Sequence, residues 1–79
     1  MTYKDFAKYI KEKRELTFIT QKDFAKSLPI RVSKYNKIEN GNQEPTFMEL
    51  QLICIALDID LTEILQLKKP NQQHQAYFD

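Results

Sequence analysis

From Tyr3 to Leu65 the apolar residues recur at helical rather than strand spacing. Phe6 and Ile10, with Tyr3, Ala7 and Tyr9, form one stripe in a run rich in Lys and Glu, which predicts a first helix from Tyr3 to Leu16. Thr17 to Ile19, β-branched and aromatic, breaks the pattern. Thr20 opens a second helix: its hydroxyl suits an N-cap, and Asp23 places negative charge near the positive helix end. Phe24, Ala25 and Leu28 supply its buried face, and Pro29 stops it, because proline lacks the N–H donor and disfavours helical angles at Leu28. A third helix is expected from Ile30 to near Asn40. Ile30, Tyr35 and Ile38 turn inward, leaving Val32, Ser33, Asn36 and Lys37 toward solvent. Gly41 follows where a left-handed residue would close that helix. After the polar linker Asn42 to Pro45, Thr46 and Glu49 carry the capping-box pattern of a fourth helix with Phe47, Leu50, Ile53, Cys54 and Leu57 on its core face. Asp60 or Leu61 starts a short fifth helix carrying Leu61, Ile64 and Leu65, which ends before Pro70. The prediction is an all-α, five-helix bundle: residues 1–69 form the domain, and residues 70–79 a tail that is flexible or docks on a partner.

Composition narrows the function classes. A chain of 79 residues with 42% hydrophobic content buries one core and not two. Cys54 is the only cysteine, so no internal disulfide forms, and with His74 the only histidine a tetrahedral His/Cys metal site cannot be assembled within one chain. Cys54 lies in an apolar helical run and reads as core packing rather than as a reactive thiol. No nucleophile stands with a base and an orienting group, and no glycine-rich phosphate loop is present, so neither an enzyme nor a cofactor is expected. The longest purely apolar run, Leu52 to Leu57, is far short of the roughly 20 residues of a membrane span. The first residues lack a signal-peptide hydrophobic region, so a cytoplasmic protein is expected.

The net charge of +1 is unevenly placed. Residues 1–43 carry ten Lys and Arg against five acids, a balance of +5, while the remainder carries Lys68 and Lys69 against six acids, a balance of −4. The asymmetry fits a polyanion-facing half beside an acidic half; two solvated faces fit it equally well.

Two short helices joined by a tight turn, the second polar and basic on its outer face, form the unit that lays a helix in a major groove about 12 Å wide. Thr20-Gln21-Lys22-Asp23-Phe24-Ala25, then Leu28, Ile30, Ser33 and Lys37-Ile38-Glu39-Asn40-Gly41, resemble the motif of the Cro and phage-repressor (XRE-type) helix-turn-helix family without a gap in the spacing. The resemblance runs from Phe6 to Leu65, including Arg14, Pro45, Leu57 and Ile59. It implies a lambda-repressor-like bundle in which helices 2 and 3 read double-stranded DNA. By position it also implies that Gln21 contacts a phosphate and braces the recognition helix, and that Val32, Ser33 and Lys37 face base edges with Asn36 on the same face. Lys22, Arg31 and Lys34 are further candidate backbone contacts. Asn40, Gly41 and Asn42 resemble the loop whose backbone N–H groups approach a phosphate, a contact that sets register without reading sequence. Arg14 and Glu39 resemble a structural ion pair tying the first helix to the end of the recognition helix.

Three residues depart from the pattern. Pro29 occupies a turn position usually held by a residue tolerant of positive φ, Arg31 replaces the usual Ser or Thr N-cap, and Phe18, where glycine is common, is expected to fill the core.

A single module buries only about 600–1,000 Å² on DNA, so a homodimer on a palindromic operator is expected. Leu52 and Ile55, with Leu67, are candidate interface residues, or else scattered surface hydrophobics; Tyr77 and Phe78 in the tail are candidates for docking on a partner chain. The tail also fits a linker to an effector domain. The sequence thus reads as a transcription regulator, a repressor by family habit. Its rivals are a protein-binding adaptor, such as an antitoxin or coactivator, and a non-specific nucleic-acid binder.

Overall fold

Thr2 starts the first helix. Its Oγ1 accepts from the Asp5 N–H, and the Asp5 carboxylate accepts from the Thr2 N–H, a capping box that sets the start of α1 (Tyr3–Glu15). The computed structural model describes residues 2–60 together with Thr62 and Ile64. α1 ends one residue before the expected Leu16, where the Thr17 and Phe18 N–H groups turn back to the Arg14 and Glu15 carbonyls and tighten the last turn.

α2 (Gln21–Lys26) is capped by Thr20, whose hydroxyl accepts from the Asp23 N–H. It ends earlier than Pro29 alone requires. The Ser27 and Leu28 N–H groups bond three residues back, to Phe24 and Ala25, and the Ser27 hydroxyl also donates to the Phe24 carbonyl. Positive φ among the described residues is confined to Phe18, Gly41 and Asp58, so the chain passes from α2 to α3 without one, and Pro29 meets no conflict there.

α3 (Val32–Glu39) starts two residues later than the expected Ile30, because Arg31 keeps an extended backbone (φ −60°, ψ 139°) and serves as the N-cap without any side-chain bond. It closes on a Schellman motif: the Gly41 N–H donates to the Ile38 carbonyl and the Asn42 N–H to the Lys37 carbonyl, with Gly41 at φ 79°. α4 (Phe47–Ala56) starts on the Thr46–Glu49 capping box. It ends in the same kind of motif, with Asp58 at φ 57° and the Ile59 N–H on the Cys54 carbonyl.

The described residues are all-α, with four helices and no strand. Five were expected; of the fifth, Thr62 and Ile64 have helical backbone and Ile64 is buried, while Leu61, Leu65 and the residues that follow lie outside the described set. One core gathers Phe6 and Ile10 of α1, Phe24 and Ala25 of α2, Tyr35 and Ile38 of α3, Ile53 and Cys54 of α4, and Leu28, Ile59 and Ile64. The Phe24 and Tyr35 rings meet edge to face at 5.4 Å and lock α2 against α3.

Two expected core residues are outside it. Phe18 is 95% exposed, because the left-handed backbone that turns the chain out of α1 directs its ring to solvent. Phe47 is 68% exposed: it occupies the first position of α4, where nothing among the described residues covers it.

Candidate nucleic-acid interface

Glu39, at the end of α3, is the anchor of the site. Arg14 donates to it through two nitrogens, Nε to Oε2 at 2.8 Å and an Nη to Oε1 at 2.9 Å, in a fork that Arg geometry favours. The other Arg14 Nη donates to the Ile19 carbonyl at 2.6 Å, so one guanidinium joins α1, the α1–α2 turn and α3. Gln21, the first residue of α2, donates from Nε2 to Glu39 Oε1 at 2.8 Å and to Asn40 Oδ1 at 3.3 Å. The Tyr35 hydroxyl donates to Glu39 Oε2 at 2.6 Å.

Burial alone would raise the Glu39 pKa, but the hydrogen bonds from Arg14, Tyr35 and Gln21 outweigh it and hold the carboxyl below its ordinary range. Burial, then the bond to Glu39, pushes the Tyr35 phenol well above its ordinary value, so it remains a donor. The bond to Glu39 raises the Arg14 pKa. Tyr35 is the member of this cluster that the apolar pattern hid, since its ring counts as core. Its spacing of four residues from Glu39 on one helix was the available signal.

On the outer side of α3, Ser33 and Lys37 are exposed. Val32 and Asn36 stand differently from the expected solvent face: Val32 is half-buried and packs against the core, and Asn36 is half-buried with its Oδ1 enclosed and without a hydrogen-bond partner. Bidentate recognition of adenine needs both the oxygen and the nitrogen of an Asn amide, so in this orientation Asn36 offers only its NH₂.

The candidate backbone contacts divide as well. Lys22, Arg31 and Asn42 are exposed. Lys34 turns instead to α4, its Nζ 2.6 Å from Glu49 Oε2. Burial works against ionised Glu49, but the bonds from Lys34 and Thr46 prevail and lower its pKa. Gln21 directs its NH₂ into the Glu39 cluster rather than outward. In the turn after α3, the N–H groups of Asn40, Gly41 and Asn42 all donate within the chain, to the carbonyls of Asn36, Ile38 and Lys37. The expected phosphate cradle of backbone N–H groups is therefore occupied by the helix terminus itself.

Of the candidate interface residues, Ile55 is exposed and Leu52 half-buried on α4, where Phe47 and Met48 are exposed too. Leu67, Tyr77 and Phe78 lie outside the described residues. No helix among the described residues is long and apolar enough to cross a membrane.

Two short helices locked by Phe24–Tyr35 and Gln21–Glu39, the second presenting Ser33 and Lys37 outward, constitute a helix-turn-helix. A family model described as helix-turn-helix matches residues 10–64. The chain belongs to this family, the Cro/phage-repressor (XRE-type) helix-turn-helix family, whose members are DNA-binding regulators. No curated protein and no solved structure matches the chain.

Proposed function

We propose that the chain is a sequence-specific transcription regulator, a repressor, that inserts α3 into the major groove of double-stranded DNA. The observation that carries this reading is the exposure of Ser33 and Lys37 on a helix whose far end is clamped to α1 and α2 through Glu39. A helix so braced presents its outer side chains from a backbone that needs no further ordering on binding. Ser33 donates or accepts at a base edge, and Lys37 donates to guanine O6 and N7. Val32, in its half-buried position, offers only part of its side chain to a thymine methyl. Arg31 and Lys22 supply phosphate contacts that set the register.

The chain acts as a homodimer on a palindromic operator. The exposed Phe47, Met48 and Ile55 of α4 support this: α4 is apolar nearly all round, and one of its faces is uncovered among the described residues.

Selection from a randomised duplex pool at two salt concentrations tests the reading. A regulator enriches a palindrome and keeps its preference at the higher salt; a non-specific binder loses affinity steeply without enrichment, and an adaptor binds no duplex. On the selected duplex, Lys37→Ala is expected to relax preference at one base position by about 1–3 kcal/mol. Equal losses on every operator variant would move Lys37 to the backbone.

A further inference from the structure

We propose that Lys4, Lys8 and Lys11 of α1 form a second DNA contact, a stripe of ammonium groups that grips backbone phosphates beside the C-terminal end of α3. The inference rests on the DNA-binding reading above and extends it to a helix outside the helix-turn-helix.

A groove of about 340 Å³ runs between α1 and the turn after α3, lined by Lys4, Lys8 and Lys11 on one side and by Asn40, Gly41 and Asn42 on the other. The two walls lie close. A Cβ on Gly41 would sit 3.7 Å from Lys4 Cγ and 3.9 Å from Ala7 Cβ, so the first two turns of α1 pass directly over the turn. Spacings of four and three residues put the three lysines on one face of α1, and all three are exposed. None of them forms an ion pair among the described residues, where Arg14 and Lys34 are the cations engaged with carboxylates. Glu39, the carboxylate that lines the groove, is already bound by Arg14.

The turn's own chemistry directs a phosphate to these lysines. With the N–H groups of Asn40, Gly41 and Asn42 all bonded within the chain, the donors left for an anion at this edge are side chains: the ammonium groups and the amides of Asn40 and Asn42. From Lys4 to Lys11 the helix rises about 10 Å, so the three ammonium groups reach more than one phosphate along a strand. The same lysines also lie near the negative end of the α3 dipole, and the test must separate that structural role from phosphate binding.

The experiment uses the full chain and two duplexes, one selected from the random pool and one unrelated in sequence, with log K measured against log salt between about 50 and 200 mM. Each single substitution, Lys4→Gln, Lys8→Gln or Lys11→Gln, is expected to reduce the slope by about 0.9, with affinity falling alike on both duplexes and little change in melting temperature. The triple Lys→Arg variant is expected to keep the wild-type slope. An unchanged slope in the triple Lys→Gln variant, a loss confined to one duplex, or a lowered melting temperature with the slope intact overturns the inference while leaving DNA binding by α3 in place. Wild-type protein that binds neither duplex overturns both.

Discussion

α3 is held by two ion pairs, one at each end, and the shorter is the weaker. Lys34 and Glu49 approach to 2.6 Å, but their side chains remain 34% and 14% exposed. Arg14 and Glu39 meet at 2.8 Å with side chains 8% and 0% exposed, and the carboxylate is further bound by Tyr35 and Gln21. In water a pair of long side chains gains little over hydration and loses rotamer freedom. In the interior, removing one partner strands a charge that has no water to return to. Burial and the count of hydrogen bonds, rather than distance, therefore set what each pair contributes. The buried pair ties the C-terminal end of α3 to α1; the half-buried pair ties its other end to α4.

The largest effect is expected from Arg14→Ala, which leaves Glu39 buried and unpaired and costs about 3–5 kcal/mol in urea unfolding. A loss no larger than that of an exposed pair would end the distinction. Replacing both partners by apolar residues of similar volume, Arg14→Met with Glu39→Leu, is expected to recover most of that loss, and it would show how much of the cost is the stranded charge.

Acid is expected to act on the same pair more gradually. Glu39 has a folded pKa lowered from its ordinary 4.5, so its contribution is fully present above that value and is lost as the pH falls through the folded value. Melting temperature followed below pH 4.5 is expected to fall, and Glu39→Gln to flatten part of that dependence from a lower starting stability. A profile unchanged by Glu39→Gln would assign the acid sensitivity to other carboxylates, such as Glu49 and Asp60, whose values are also lowered.

Phe18→Gly probes the turn that Arg14 grips through the Ile19 carbonyl. Phe18 adopts φ 62° with its ring exposed, so glycine is expected to raise stability by about 1 kcal/mol on thermal unfolding. A destabilisation would mean that the ring makes contacts worth more than the backbone strain. The smallest effect belongs to Lys34→Ala, about 0.2–1 kcal/mol and screened by salt; a loss comparable to that of Arg14→Ala would break the comparison from the other side.

Much of this arrangement is legible along the chain, because it depends on neighbours in sequence. Thr20 and Thr46 reveal helix starts, since an N-cap hydroxyl needs only the N–H three residues on. Gly41 reveals a helix end through its left-handed backbone. Phe18 was the misleading position: an aromatic residue reads as core by composition, yet the backbone at that point turns it outward. Phe47 misled for a related reason, as helical periodicity gives the direction of a side chain but not how far the neighbouring elements extend.

The sequence by itself determined four helices, the caps at Thr20 and Thr46, the close at Gly41, the inward stripe of Phe6, Ile10, Phe24, Tyr35, Ile38 and Ile53, and the helix-turn-helix spacing. All of these follow from local backbone chemistry and from burial at a fixed period. Only the tertiary structure decided which partner each polar side chain takes. Gln21 turns to Glu39, Lys34 to Glu49, and Asn36 turns its oxygen inward, while Lys4, Lys8 and Lys11 come to lie beside the turn at Gly41. A hydrogen bond is settled by positions in space, and residues far apart in sequence acquire those positions only after the helices have packed.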